Sequence, residues 1–191
     1  MIYIGIDNGL TGALVALSDY PGPPIAMRVM PTITRRFRFD KTRVTTRKGI
    51  KAKITAPATS NEIDGASVTS WIREVTDSRP CVILIEECPE HAKQKSTMRS
   101  MAISYGILVG AITAGLPGYR LEIARSGNPH DSWQRMLLGK LSHGDTKPAA
   151  LARCRQLWPS ESWLATPRST KPHEGLIDAA LIAEYGRISN L

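Results

Sequence analysis

Two short apolar runs, each ending on an acid, limit the folds open to this chain. Residues 2–7 read Ile-Tyr-Ile-Gly-Ile-Asp, and residues 81–86 read Cys-Val-Ile-Leu-Ile-Glu. A run of that length, rich in Ile and Val and without polar alternation, predicts a strand buried on both faces. Such strands need helices over both sides of their sheet. An ionised carboxylate at the end of a buried strand is costly unless it is solvated, paired or bound to metal. If the two strands are neighbours, Asp7 and Glu86 project at one edge of the sheet.

The rest of the chain fits around these runs. Its 191 residues favour a single domain. Residues 12–18 (GALVALS) predict a second strand after the turn at 8–12, and residues 24–30 (PIAMRVM) a third, giving an antiparallel meander. Residues 31–60 change character. They carry Arg35, Arg36, Arg38, Lys41, Arg43, Arg47, Lys48, Lys51 and Lys53 against the single acid Asp40, and predict a basic hairpin or loop insertion. From Glu62 to Val75 the spacing of Ile63, Val68, Trp71, Ile72 and Val75 predicts a helix. A polar loop follows Glu86 at 89–97. Residues 98–115 predict a helix in which Gly106 and Gly110 permit close packing. A strand at 119–124, a short helix within 130–139, a helix at 145–157 and a last helix from near Pro172 to about Ile188 complete the order. Strands first and alternation afterwards predict an α/β fold: a mixed five-stranded sheet with helices on both faces, the architecture of the RNase H-like class. Trp71 and Trp133 are expected in the core.

On the last helix, Glu174 and Asp178 are four residues apart and therefore share a face. The apolar run that follows (Ala179, Ala180, Leu181, Ile182, Ala183) places that face beside the sheet. Acids there need a partner, and a divalent cation is a natural one. Mg²⁺ prefers oxygen ligands and keeps several waters, so carboxylates from separate elements suffice, without Cys or His. Glu174 also suits a first-turn acid complementing the helix dipole.

Lys and Arg outnumber Asp and Glu by 25 to 17, a formal charge of +8. That balance favours anionic partners, nucleic acid before membrane. Lys93, Lys95, Arg99 and Lys147, with Arg153 and Arg155 on the helix of Lys147, join the 31–60 cations as candidates for phosphate contact. Aromatic residues make up 6% of the chain, which disfavours a single-strand stacking platform. Three cysteines without close pairing argue against a disulfide framework and fit a reducing compartment. No signal peptide or transmembrane run is expected, so the expected location is the cytoplasm of a prokaryotic or phage-infected cell, with no membrane partner.

Three stretches carry a family resemblance. They are Ile4-Gly5-Ile6-Asp7-Asn8-Gly9 with Gly12-Ala13; Ile83-Leu84-Ile85-Glu86 with the helix containing Ser104-Tyr105-Gly106-Ile107-Leu108-Val109-Gly110-Ala111; and His173-Glu174-Gly175-Leu176-Ile177-Asp178-Ala179-Ala180-Leu181-Ile182-Ala183-Glu184-Tyr185-Gly186-Arg187. Trp133 and the Lys147–Pro159 region are also similar. In these stretches the chain resembles the RuvC-like Holliday junction resolvases, over most of its length except 31–60. The first motif alone also opens actin-like ATPases, but that fold needs a second lobe and far more chain. The resemblance implies a homodimer that binds a four-way DNA junction and makes paired symmetric nicks, a crossover junction endodeoxyribonuclease. Asp7, Glu86, Glu174 and Asp178 fall on the family's four acidic positions, which hold two Mg²⁺, or Mn²⁺, per site. The four-residue spacing of the last two resembles the phage and chloroplast-type branch; with the shorter bacterial spacing, His173 takes the place of Glu174 as ligand. The resemblance also makes the 88–97 loop a candidate to reach the junction centre. The acids themselves leave open an RNase H-like nuclease acting on RNA–DNA hybrid or other branched DNA, and the fold leaves open a non-catalytic junction-binding protein.

Overall fold

The computed structural model describes residues 1–47, 50–88, 95–126, 130–142 and 144–191, with backbone alone at 37–47, 50–58, 95 and 96. Five strands form one sheet: β1 (Ile2–Asp7), β2 (Ala13–Ser18), β3 (Ala26–Val29), β6 (Cys81–Glu86) and β7 (Arg120–Ala124), in the order β3-β2-β1-β6-β7. The meander β1-β2-β3 is antiparallel, while β6 and β7 run parallel to β1. This is the mixed five-stranded sheet that the sequence predicts.

Strand alternation divides the core in two. Ile2, Ile4, Ile6, Ile83 and Ile85 face α1 (Gly65–Thr76) and α2 (Lys95–Gly115), and meet Val68, Ile72, Leu108 and Ile112 there. Tyr3, Val15, Val82 and Leu84 face the other way, toward α3 (Trp133–Leu138), α4 (Thr146–Leu157) and α5 (Glu174–Ile188). The apolar runs of β1 and β6 are continuous because both of their faces are covered. Trp71 and Trp133 are buried, as expected.

Helix α5 lies directly on β1, and two glycines set how closely. A Cβ on Gly5 would stand 2.0 Å from the Ala179 carbonyl oxygen, and one on Gly175 would stand 2.7 Å from the Gly12 Cα. In both cases the neighbour is backbone and cannot turn aside. Gly5→Ala is therefore expected to destabilise the fold by about 3 kcal/mol, the upper part of the usual overpacking range. Thermal unfolding should show a melting temperature lower by about 10 °C.

The structure decides one alternative and corrects two expectations. Of the hairpin or loop insertion expected at 31–60 it has the hairpin: β4 (Thr32–Arg47) pairs antiparallel with β5 (Ile50–Ile63) as a separate two-stranded sheet. The helix expected from Glu62 begins at Gly65, because Glu62 and Ile63 still pair with β4 and Asp64 caps the helix by accepting from the Ser67 N–H at 3.1 Å. Ile63 is buried all the same, as the last residue of a strand. Gly106 and Gly110 serve no close packing among the described residues, since a Cβ on either would meet none of them within 4 Å. Among the described residues no helix is long and apolar enough to cross a membrane. The described cysteines are all free.

Candidate active site

Register and alternation bring the acids together. Ile6 of β1 pairs with Ile85 of β6 in parallel, so Asp7 and Glu86 leave the sheet side by side at its carboxyl-terminal rim. Gly5 faces α5, and Asp7, two residues on, faces the same way. Val82 and Leu84 place Glu86 on that side too. Asp178 comes down from α5 between the buried Ile177 and Ala179. Each glycine contact described above shortens the distance between α5 and these strand ends.

Asp7 and Asp178 lie close enough to Glu86, and Asp7 to Asp178, for their charges to matter. Burial pushes the Glu86 carboxyl up to about 8, and repulsion from Asp7 and Asp178 adds to the shift. Asp178 is pushed up to about 7 by burial, then by Asp7 and Glu174, with Lys147 opposing. Asp7 is raised by burial, while the Gly9 N–H, donating to its Oδ1 at 3.1 Å, and the nearby His173 hold it down. Near neutral pH this cluster holds protons that ordinary carboxyls would have lost.

Glu174 sits differently. Its side chain is 61% exposed and ion-paired with the Lys147 ammonium, reached from α4. It stands at the mouth of the cluster, close enough to repel Asp7 and Asp178. His173 is the N-cap of α5, and its Nδ1 accepts the Leu176 N–H at 3.2 Å. Its Nε2 is not used by the cap.

Two residues beyond the expected set complete the site. Asn8 is buried, and its Nδ2 donates to the Glu86 carbonyl at 2.7 Å, tying the ends of β1 and β6 together. The Oδ1 of the same amide is buried with no donor among the described residues. Trp133 is fully buried at the start of α3; its indole N–H lies near Glu86 and favours the charged carboxylate, without reaching close hydrogen-bond geometry. Sequence offered one signal for Asn8, its place directly after the acid of β1, and for Trp133 only the family resemblance.

The donor chemistry suits a hard divalent cation. Three desolvated carboxylates lie close enough for repulsion to raise them, with Lys147 opposing that at Asp178 and His173 at Asp7. Among the described residues no group of three or more His, Cys, Asp or Glu side chains is placed to hold a metal ion. Mg²⁺ does not need one, because it takes one or two carboxylates and retains waters.

The candidate phosphate contacts are scattered. Arg99 is exposed on α2 and Lys147 is exposed on α4. Arg36 is exposed near the start of the hairpin, and Arg35 beside it is ion-paired with Glu62 at 2.6 Å. Arg38 and Lys95 lie on β4 and α2, where the backbone alone is described, and Lys93 lies outside the described residues, as does most of the 88–97 loop.

No family model matches the chain, and no curated protein matches it. Solved structures do. A structure of Thermus thermophilus RuvC in complex with a Holliday junction substrate is 15% identical, covers all of this chain and 94% of its own, and superposes with a TM-score of 0.48. A second structure of Thermus thermophilus RuvC is 14% identical, covers all of this chain and 97% of its own, with a TM-score of 0.46. Neither likeness is close enough to carry an argument about this chain, and neither supports the phage and chloroplast-type branch. The fold class stands on the strand order and register.

Proposed function

We propose that the chain is a divalent-metal-dependent endonuclease that nicks branched DNA, with the four-way junction as its preferred substrate. The observation that carries this reading is the register that ends β1 and β6 side by side on Asp7 and Glu86, under the helix α5 that carries Asp178, with Glu86 and Asp178 raised by burial and by repulsion from Asp7. Folding has gathered carboxyls whose ionisation is costly there, a cost that a bound cation would relieve. Asp7, Glu86 and Asp178, with Glu174 at the mouth, would hold Mg²⁺ or Mn²⁺, up to two ions. Such a pair, when bound, activates water and stabilises the leaving oxygen during in-line attack on phosphorus.

The chain's own residues do the rest. Glu86 and Asp178 are the groups that would release protons to solvent on binding a cation. The Gly9 N–H fixes the Asp7 carboxylate, and Asn8 fixes the end of β6 against β1. Trp133 and α5 keep bulk water from the inner side of Glu86. Lys147 holds Glu174 at the mouth of the site, and a bound cation would compete with it for that carboxylate. The choice of junction over hybrid or linear duplex rests on the motif resemblance. It brings with it a homodimer, since symmetric nicks across a two-fold junction need two equivalent sites.

The test offers four-way junctions, linear duplex and RNA–DNA hybrid to the protein with Mg²⁺ and with EDTA. Paired symmetric nicks in the junction alone, lost in EDTA, are expected. Equal cutting of linear duplex or hybrid overturns the substrate assignment, and cutting in EDTA overturns the metal dependence.

A further inference from the structure

The meander places the basic hairpin at the acidic rim. β1 runs up to Asp7, β2 runs back from Ala13, and β3 runs up again so that Val29 pairs with Ala13 and Ala13 with Asp7. The chain leaves the sheet there: the Met30 N–H donates to the Gly12 carbonyl at 2.9 Å, and the Asp64 N–H closes the root onto the Pro31 carbonyl at 2.9 Å. Met30 and Ile63, on either side of the root, are buried in the core. The hairpin is therefore rooted at the rim where Asp7 and Glu86 end.

Its charge separates it from the body. Residues 36–61 hold eight Lys or Arg and one acid, Asp40, a net +7 out of the chain's +8. The remainder of the protein is close to neutral. The register also keeps these cations apart: Lys41 pairs with Ala56, Arg43 with Ile54, Lys53 with Val44 and Lys51 with Thr46, and among the described pairs no Lys or Arg faces another. Charge is thus spread along both strands. β4 has 16 residues, about 50 Å of strand. One turn of B-DNA rises about 34 Å, and its major groove, about 12 Å wide, admits a two-stranded ribbon. A shift of register between Arg36 and Asp40 marks an irregularity just beyond the root, where such a ribbon can bend.

We infer that the β4–β5 ribbon is a duplex-binding arm that supplies most of the protein's electrostatic affinity for DNA, holding a helical arm of the substrate whose branch lies at the acidic rim. This rests on the nuclease reading for the identity of the polyanion. The arm assignment is tested by binding alone, so that the two can fail separately.

Two variants of the full chain remove equal charge. One is Arg43→Gln/Lys51→Gln/Lys53→Gln on the arm. The other is Lys140→Gln/Arg168→Gln/Lys171→Gln on exposed positions of the body. Affinity for a 40-base-pair duplex is measured in EDTA from 50 to 300 mM salt, with circular dichroism to check folding. The arm variant should bind at least about tenfold more weakly at 0.1 M salt, with the slope of log K against log[salt] reduced by about 2–3, close to 0.9 per lost phosphate contact. The body variant should stay near wild type. Equal losses in both variants, or an unchanged slope in the arm variant, overturn the assignment. A change confined to sedimentation behaviour, or to binding of anionic vesicles, overturns it in favour of a second copy of the chain or a membrane surface.

Discussion

Asp7→Asn is expected to slow metal-dependent strand cleavage by about a thousandfold, the scale of losing one preorganised charge-stabilising group, while making the metal-free protein more stable. The two effects have one cause. Asp7 stands beside Glu86 and Asp178 and raises the pKa of both, so its charge is a cost to the empty fold. An amide keeps the shape and the acceptor for the Gly9 N–H but removes the repulsion. In EDTA at pH 8 the gain should be on the order of 1–2 kcal/mol. For a chain of this size that raises the melting temperature by about 2–8 °C. Asp178→Asn should behave alike. A purely structural acid behaves in the opposite way, with lost stability and intact cleavage. Single-turnover cleavage and thermal unfolding on the same preparations separate the two.

The second large effect is on pH. Glu86 and Asp178 are held at about 8 and about 7 in the folded chain, whereas unfolded carboxyls titrate near 4. Between about pH 4 and pH 8 the folded state therefore binds more protons than the unfolded state, and stability falls as pH rises through that window. Below pH 4 both states are protonated and the contribution is at its most favourable. Above pH 8 both are ionised and it is lost. The metal-free protein should lose on the order of 3 kcal/mol between pH 5 and pH 8, after allowing for water entering the site as the groups ionise. Mg²⁺ should return most of it at pH 8, about 2.7 kcal/mol at one hundred times Kd, and little at pH 5, where the ligands are protonated. Melting curves at the two pH values with EDTA and with Mg²⁺ measure all four corners. A metal-free stability that rises from pH 5 to pH 8 contradicts the proposed protonation of Glu86 and Asp178.

Much of this was legible in the residues. The acids of β1 and β6 were readable because a continuous apolar run leaves its terminal carboxylate nowhere else to be. Asp178 was readable from its position inside an apolar helix. Less visible were facts that depend on contacts between distant segments. Asn8 bonds to the carbonyl of Glu86, 78 residues away, and nothing local marks its orphaned oxygen. Glu174 pairs with Lys147 across two helices, and spacing along α5 cannot show that. The hairpin at 32–63 was not separable from a loop, because a ribbon outside the core needs no apolar alternation. Gly106 and Gly110 look like packing glycines in the sequence, yet the face they open meets none of the described residues within 4 Å, whereas Gly5 and Gly175 lie under backbone. The difference lies in which helix crosses which strand.

The acidic rim as a cation site is tested most directly by Mn²⁺ binding, followed by electron paramagnetic resonance at pH 8 in the absence of DNA, for the wild type and for Asp7→Asn/Asp178→Asn. The wild type is expected to take up one or two Mn²⁺ per chain in a saturable way, and the double variant to lose that uptake while remaining folded. Equal uptake by both proteins, or none by the wild type up to millimolar Mn²⁺, would contradict it.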